Sequence, residues 1–228
     1  HGLHLEENRK GDILFRIGSD IDVNDLYNLT SIGLKIGEIA GNRIPVIQGL
    51  NHISNDQLKN LGAASASSGA IALIHVIGVT PEAKSMEDAF QNDKPKEKVT
   101  IEIKDLIEIR EKYTTEWDRL PQNIAIGCPH LSEQEVIEVI KKLKGKKVNE
   151  EINFWICTNK ETKTNILNSK YKDILKSSGV KIAYFCPLLT ALPRPLVTNS
   201  AKTCFYSNAS YKSIDHCIKI ATEGSDNV

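Results

Sequence analysis

From Asn123 onward the chain alternates short apolar runs with amphipathic stretches, and this alternation constrains the fold more than any other feature. Asn123 to Cys128, Ile152 to Cys157 and Lys181 to Cys186 are apolar and partly β-branched, the signature of buried strands. Ser132-Glu133-Gln134-Glu135 is a capping box, in which the serine hydroxyl and the glutamate side chain satisfy each other's free backbone N–H groups. It opens a helix with Val136, Ile137, Ile140 and Leu143 on one side. Thr158-Asn159-Lys160-Glu161 reads as a second box, opening a helix to about Ser177 that Gly179 punctuates. Strand, helix, strand, helix, strand at these lengths implies parallel strands joined by right-handed crossovers. The predicted class is α/β, with this β-α-β-α-β unit spanning 121–228.

The preceding part, 1–120, reads as mixed α/β. Ile13 to Ile17 is a β-like run, followed by the acidic, turn-prone stretch Ser19 to Asp25. Leu26, Leu29, Ile32, Ile36 and Ile39 fall at helical spacing over Leu26 to Ala40, and Pro45 closes the segment. Gly33, Gly37 and Gly41 share one face of that helix, which predicts close packing on a neighbouring backbone. The small-residue run Leu61 to Gly69 leads into Ala70 to Val76, read as a buried strand. Lys84 to Lys98 reads as a surface excursion, Thr100 to Ile103 as a short strand and Asp105 to Tyr113 as a helix.

The 228 residues, 40% hydrophobic and 25% charged, suffice to bury one good core or two small ones and exclude disordered and collagen-like classes. No apolar run is long enough for a membrane span. Lys plus Arg and Asp plus Glu stand at 29 each, so the chain has no electrostatic footprint for nucleic acid or anionic lipid. Five scattered cysteines do not suit a secreted disulfide framework, and a reducing, cytoplasmic setting is expected. The chain opens with His1 rather than Met, and it is expected to be processed or a piece of something longer. Walker, Gly-x-Gly-x-x-Gly, Gly-x-Ser-x-Gly and His-Glu-x-x-His patterns are absent, so nucleotide-binding, serine-hydrolase and zincin readings have no support.

In an open parallel sheet, ligands bind outside the carboxyl ends of the strands. Cys128, Cys157 and Cys186 fall at such ends, and Cys128 and Cys186 are each followed by proline. Two thiolates meeting in a cleft suit a soft metal or an iron–sulfur cluster, or a two-cysteine zinc or redox site. The competing reading is that a free cysteine packs as a small hydrophobe. Arg194 with Thr198-Asn199-Ser200-Ala201-Lys202 gathers one guanidinium, one ammonium and short polar side chains that can hold a carboxylate or phosphate, or else forms a solvated loop. The run His4-Leu5-Glu6-Glu7-Asn8-Arg9-Lys10 offers an acid–base group and an anion clamp, or a surface turn.

Together, Gly2-Leu3-His4-Leu5-Glu6-Glu7-Asn8-Arg9-Lys10, Gly62-Ala63-Ala64 through Gly69 to His75, Gly78 to Glu82, Gly127-Cys128-Pro129-His130, and Arg194 with Thr198-Asn199-Ser200 and Lys202 resemble the catalytic domain of the aconitase X family, in the family's order. The resemblance implies an aconitase-like fold and a hydro-lyase with a [4Fe–4S] cluster held by three cysteines, the fourth iron taking the substrate. Two activities are associated with the family: dehydration of (R)-5-phosphomevalonate to trans-anhydromevalonate 5-phosphate in an archaeal mevalonate route, and dehydration of cis-3-hydroxy-L-proline. It assigns Cys128 and Cys186 to the cluster, Arg194, Thr198, Asn199, Ser200 and Lys202 to substrate anions, and His4, Asn8 and Arg9 to a substrate-binding motif. Cys157 and Cys204 fall where the pattern asks for no cysteine. The expected partners are a phosphorylated hydroxy acid and a small swivelling-domain subunit thought to supply the base, with neither nucleic acid nor membrane. The family's domain is nearly twice as long, and the part carrying the third cluster cysteine has no counterpart here. The chain is therefore expected to be the C-terminal portion of a large subunit, without turnover by itself; the alternative is a truncated, non-catalytic relative.

Overall fold

The computed structural model describes residues 2–190 and 192–224 and divides the chain into two compact units, 1–111 and 112–228. After the 3₁₀ turns Gly2–His4 and Glu6–Arg9, the first unit runs β1 (Ile13–Ile17), α1 (Leu26–Ala40), β2 (Pro45–Gln48), α2 (Asn55–Ser68), β3 (His75–Val76), α3 (Met86–Ala89), β4 (Glu97–Ile101) and α4 (Ile103–Tyr113). Its strands are all parallel, in the order β3-β2-β1-β4. Side chains alternate across a strand, so Ile13, Phe15 and Ile47 bury against Leu29, Ile32, Ile36 and Leu61 of the helices on one face. Leu14 and Val46 bury against Ala83, Ala89 and Phe90 on the other.

The glycine face of α1 meets the small residues of α2. A Cβ placed on Gly33 would stand 2.7 Å from the Ala64 Cβ. The expected close approach is present, and its partner is a helix. The small-residue run is thus helical, because the capping box of Ser54 and Gln57 starts α2 upstream of it. Of the strand expected at Ala70 to Val76, only His75–Val76 pairs. The Lys84 to Lys98 stretch holds α3, opened by a box of Ser85 and Asp88, and buries Ala89 and Phe90; β4 begins at Glu97, ahead of the expected Thr100.

The second unit runs β5 (Asn123–Leu131), α5 (Glu133–Lys142), β6 (Asn153–Thr158), α6 (Lys160–Leu167), α7 (Lys172–Ser178), β7 (Lys181–Ala183), β8 (Leu196–Thr198), α8 (Ala201–Ser207), β9 (Ser210–Tyr211) and α9 (Ile214–Glu223). Its sheet is parallel throughout, in the order β7-β6-β5-β8-β9. Ile124, Ile126, Phe154, Ile156 and Val197 share one buried cluster with Val136, Ile140, Ile166, Leu175, Cys217 and Ile218 from the helices. The predicted β-α-β-α-β unit is present, with two local differences. Asn159, not Thr158, caps α6, because the Thr158 hydroxyl is buried and donates to Leu131 O at 2.6 Å. The single helix expected to Ser177 is two, broken at Asn168–Tyr171. Among the described residues, no helix is long and apolar enough to cross a membrane.

Candidate functional site

The chain builds β5, β6 and β7 outward in one direction and then returns to place β8 on the other side of β5. The switch point of the sheet lies between β5 and β8, where an open α/β fold places its ligands beyond the carboxyl ends. Gly127-Cys128 stands where the regular pairing of β5 stops after Ile126, and Thr198-Asn199-Ser200 stands at the end of β8.

Cys128 is displayed by a bulge. β5 pairs with β6 in register at Ile126↔Ile156 and again only at Leu131↔Thr158, so Gly127 to His130 leave the ladder between them. Gly127 permits this: its φ is +104°, and a Cβ there would lie 2.1 Å from Cys157 O. The Cys128–Pro129 and Arg194–Pro195 bonds are both cis.

β8 delivers the other side. The Thr198 hydroxyl accepts the Ser200 N–H at 3.1 Å, and Thr198 is fully buried. Ser200 caps α8, accepting the Thr203 N–H at 3.0 Å, while its own hydroxyl donates to Cys128 O. The Gly127 N–H donates to Asn199 Oδ1 at 3.4 Å. These bonds tie the two strand ends to each other. Buried Thr203 adds a hydroxyl oxygen with no hydrogen-bond partner among the described residues.

The electrostatics report the same gathering. Burial pushes the Cys128 thiol up; the hydroxyls of Thr203 and Ser200 work against it, Cys186 adds to it and Lys202 subtracts. Cys157, with no exposed surface, is pushed up to about 12 by burial and then by Cys128 and Cys186. Cys128 thus has Ser200 and Thr203 beside it and lies within electrostatic reach of Cys186, Lys202 and the silent thiol of Cys157. Cys186 lies beyond the end of β7, which stops at Ala183, so it sits on a loop rather than on the strand expected for it. Arg194 is exposed and acts on Cys204, which burial pushes far up and Cys217 pushes further. Among the described residues no set of three His, Cys, Asp or Glu side chains gathers into a metal centre.

His4, Asn8 and Arg9 lie in the first unit, on the turns that precede β1. His4 is exposed; Asn8 Nδ2 donates to Gly2 O at 2.9 Å. Arg9 pairs with Glu82, its carbonyl meets His75 Nε2 at 2.7 Å, and its Nε is buried without a partner among the described residues. Arg9, His75 and Glu82, but neither His4 nor Asn8, border a cavity of about 620 Å³ shared with Glu6, Glu7, Glu87 and Asp88. Sequence reasoning passed over Thr203, whose only signal was its place one turn into a helix opened by Ser200.

The family model for the aconitase X second domain matches residues 11–111, and that for the third domain matches residues 121–223. The phosphomevalonate dehydratase large subunit of Methanosarcina mazei is 34% identical over 99% of this chain and 56% of its own length. The protein of that name from Methanocaldococcus jannaschii is 33% identical over 93% and 54%. The cis-3-hydroxy-L-proline dehydratase of Hypocrea jecorina is 27% identical over 98% and 40%. The crystal structure of Thermococcus kodakaraensis aconitase X in its holo-form superposes with a TM-score of 0.83 at 32% identity, covering 97% of this chain and 57% of that one. The chain spans about half the length of the curated relatives it matches. With both domain models matched in order and the fold shared with a solved member, the chain belongs to the aconitase X family.

Proposed function

We propose that this chain is part of the large subunit of an aconitase X hydro-lyase, and that its second unit helps hold a [4Fe–4S] cluster and binds the anionic groups of a hydroxy-acid substrate. The observation that carries the reading is the hydrogen-bonded joining of Gly127-Cys128 to Asn199-Ser200 at the switch point of a parallel sheet, with Cys186 and Lys202 within electrostatic reach of Cys128. The donor set fits a soft metal group in part: two thiols, with the buried Thr203 hydroxyl, which has no hydrogen bond of ordinary geometry among the described residues, beside Cys128. The remaining protein ligand is assigned to the length of the relatives that this chain does not span. When bound, such a cluster supplies a Lewis acid that eases departure of the substrate hydroxide.

The chain's own residues do the rest of this side's work. Cys128 and Cys186 would hold the group as thiolates, and Cys128, whose protonated form burial favours, would have to give up its proton to do so. Lys202 and Arg194 hold carboxylate or phosphate, Arg194 through its planar fork of donors. Thr198, with its hydroxyl engaged by Ser200, serves that group by shaping the turn. His4, Asn8 and Arg9 enter through their likeness to the family motif, and Arg9 would exchange Glu82 for a substrate anion. The proton-abstracting base is assigned to a small partner subunit, in keeping with the words "large subunit" in the relatives' names.

(R)-5-phosphomevalonate is the proposed substrate, because four relatives named for its dehydration are 32–34% identical, against 26–27% for two that act on cis-3-hydroxy-L-proline. The test uses the complete large subunit with its small subunit, purified without oxygen. Iron, acid-labile sulfide and water loss from each substrate are measured before and after Cys128→Ser and Cys186→Ser. Loss of iron and of phosphomevalonate turnover in both variants is expected. Unchanged iron content and unchanged turnover would sink the proposal.

A further inference from the structure

The connection between β7 and β8, residues 184–195, carries Cys186 near one end and Arg194 near the other. Its described residues form no helix or strand, and Leu189 in its middle is 84% exposed. Such a loop takes its shape from whatever fastens its ends. At the first end, the Phe185 ring meets the Trp155 ring edge-on at 5.3 Å, and Phe185 O lies 3.2 Å from His130 Nε2. At the second end, Pro193 O accepts a hydrogen bond from Asn123 Nδ2 at 3.0 Å. The two fastenings are one object, because Trp155 Nε1–H donates to Asn123 Oδ1 at 3.1 Å.

Asn123 is 3% exposed, and its amide oxygen and nitrogen are each engaged. Lys181 holds the Trp155 ring from above at 4.9 Å while donating to Asn153 Oδ1 at 2.6 Å. A polar pair with one buried member is a poor source of net stability, since apolar residues of similar shape fill the same space at little cost. What it supplies is direction: a planar amide with both ends engaged admits one arrangement of its partners.

We infer that Asn123 and Trp155 are positioning residues that set where Cys186 and Arg194 stand, through Phe185 at one end of the loop and Pro193 at the other. The inference rests on the roles proposed above for Cys186 and Arg194. Neither positioning residue is assigned a contact with metal or substrate.

The test compares two variants of the complete large subunit, with its small subunit. The double substitution Asn123→Leu with Trp155→Phe removes the amide tie while keeping a ring for Phe185; Phe185→Leu removes the ring contact alone. Loss of one hydrogen bond of about 1 kcal/mol corresponds to roughly fivefold faster exchange of the amides it protects. The double variant is expected to speed amide hydrogen exchange at Thr190, Leu192 and Arg194 by about that factor and to raise KM with kcat little changed. Phe185→Leu is expected to speed exchange at 186–190 and to lower the iron retained per chain. Unchanged exchange in both variants overturns the anchor. Faster exchange with iron retention and KM unaltered overturns its role in positioning. If the double variant does not fold, Phe185→Leu carries the same paired readout at a half-buried ring. A Cys186→Ser variant that keeps its iron would fail the functional reading instead, and the exchange data still decide the anchor.

Discussion

A Cβ built on Gly37 would lie 2.4 Å from Ser65 O and 2.0 Å from Ser68 Oγ. α1 and α2 therefore touch through backbone, and the contact has no room for one methyl group.

That contact predicts opposite effects for two glycine-to-alanine changes. Gly62, in α2, has nothing within 4 Å of its missing Cβ, so Gly62→Ala should stabilise by roughly 0.5–1 kcal/mol through helix propensity. Gly37→Ala gains the same propensity but overpacks a backbone contact, and a net loss of about 1–3 kcal/mol is expected. Urea unfolding midpoints of the two variants should move in opposite directions.

Ser200 and Thr203 should separate the cost of a lost bond from that of an unmet one. Ser200→Ala removes the α8 cap and the bond to Cys128 O, a loss of about 1–2 kcal/mol in the metal-free protein. Thr203→Val removes a buried hydroxyl that makes no hydrogen bond of ordinary geometry among the described residues but lies beside the Cys128 thiol, and the metal-free protein should lose less stability than Ser200→Ala does. In the complete complex, both should retain less iron than wild type. A Thr203→Val protein with wild-type iron retention would show that the hydroxyl serves no bound group.

Cys157 should make the fold sensitive to alkali. Its pKa is raised from 9.0 to about 12, so the folded protein holds this proton more tightly than the unfolded chain. The associated stability is fully present below pH 9 and lost as pH rises through about 12. In that window stability should fall by on the order of 1.4 kcal/mol per pH unit for this thiol. Cys157→Ala should flatten the slope, as read from denaturant midpoints between pH 8 and 11. At pH 8 the native protein should be alkylated at half-buried Cys186 well before Cys157.

Much of the fold was legible in order of residues. Leu26–Ala40 is the helix its 3.6-residue periodicity demands, and Ser132 with Glu135 starts α5 at the expected residue. Signals failed where a segment's state depends on distant partners. Pro45–Gln48 is too short to read as a strand alone, yet β1 and β3 flank it. The small-residue run before Gly69 carries no secondary-structure reading of its own, and it is the last part of a helix that starts upstream at the Ser54 cap and packs on the glycine face of α1. β8 and β9, at three and two residues, carry no periodic signal at all.

The sequence by itself determined the α/β class, the parallel order of β5, β6 and β7, and the residue types available for chemistry, because periodicity and helix caps act over a few neighbouring positions. Only tertiary structure decided that β8 returns to the far side of β5. That return lays Ser200 against Cys128, leaves Thr203 Oγ1 buried without a partner among the described residues, and sends the loop of Cys186 and Arg194 past Asn123 and Trp155. Strand order is set by which apolar faces cover one another across the sheet, and no local pattern along the chain encodes it.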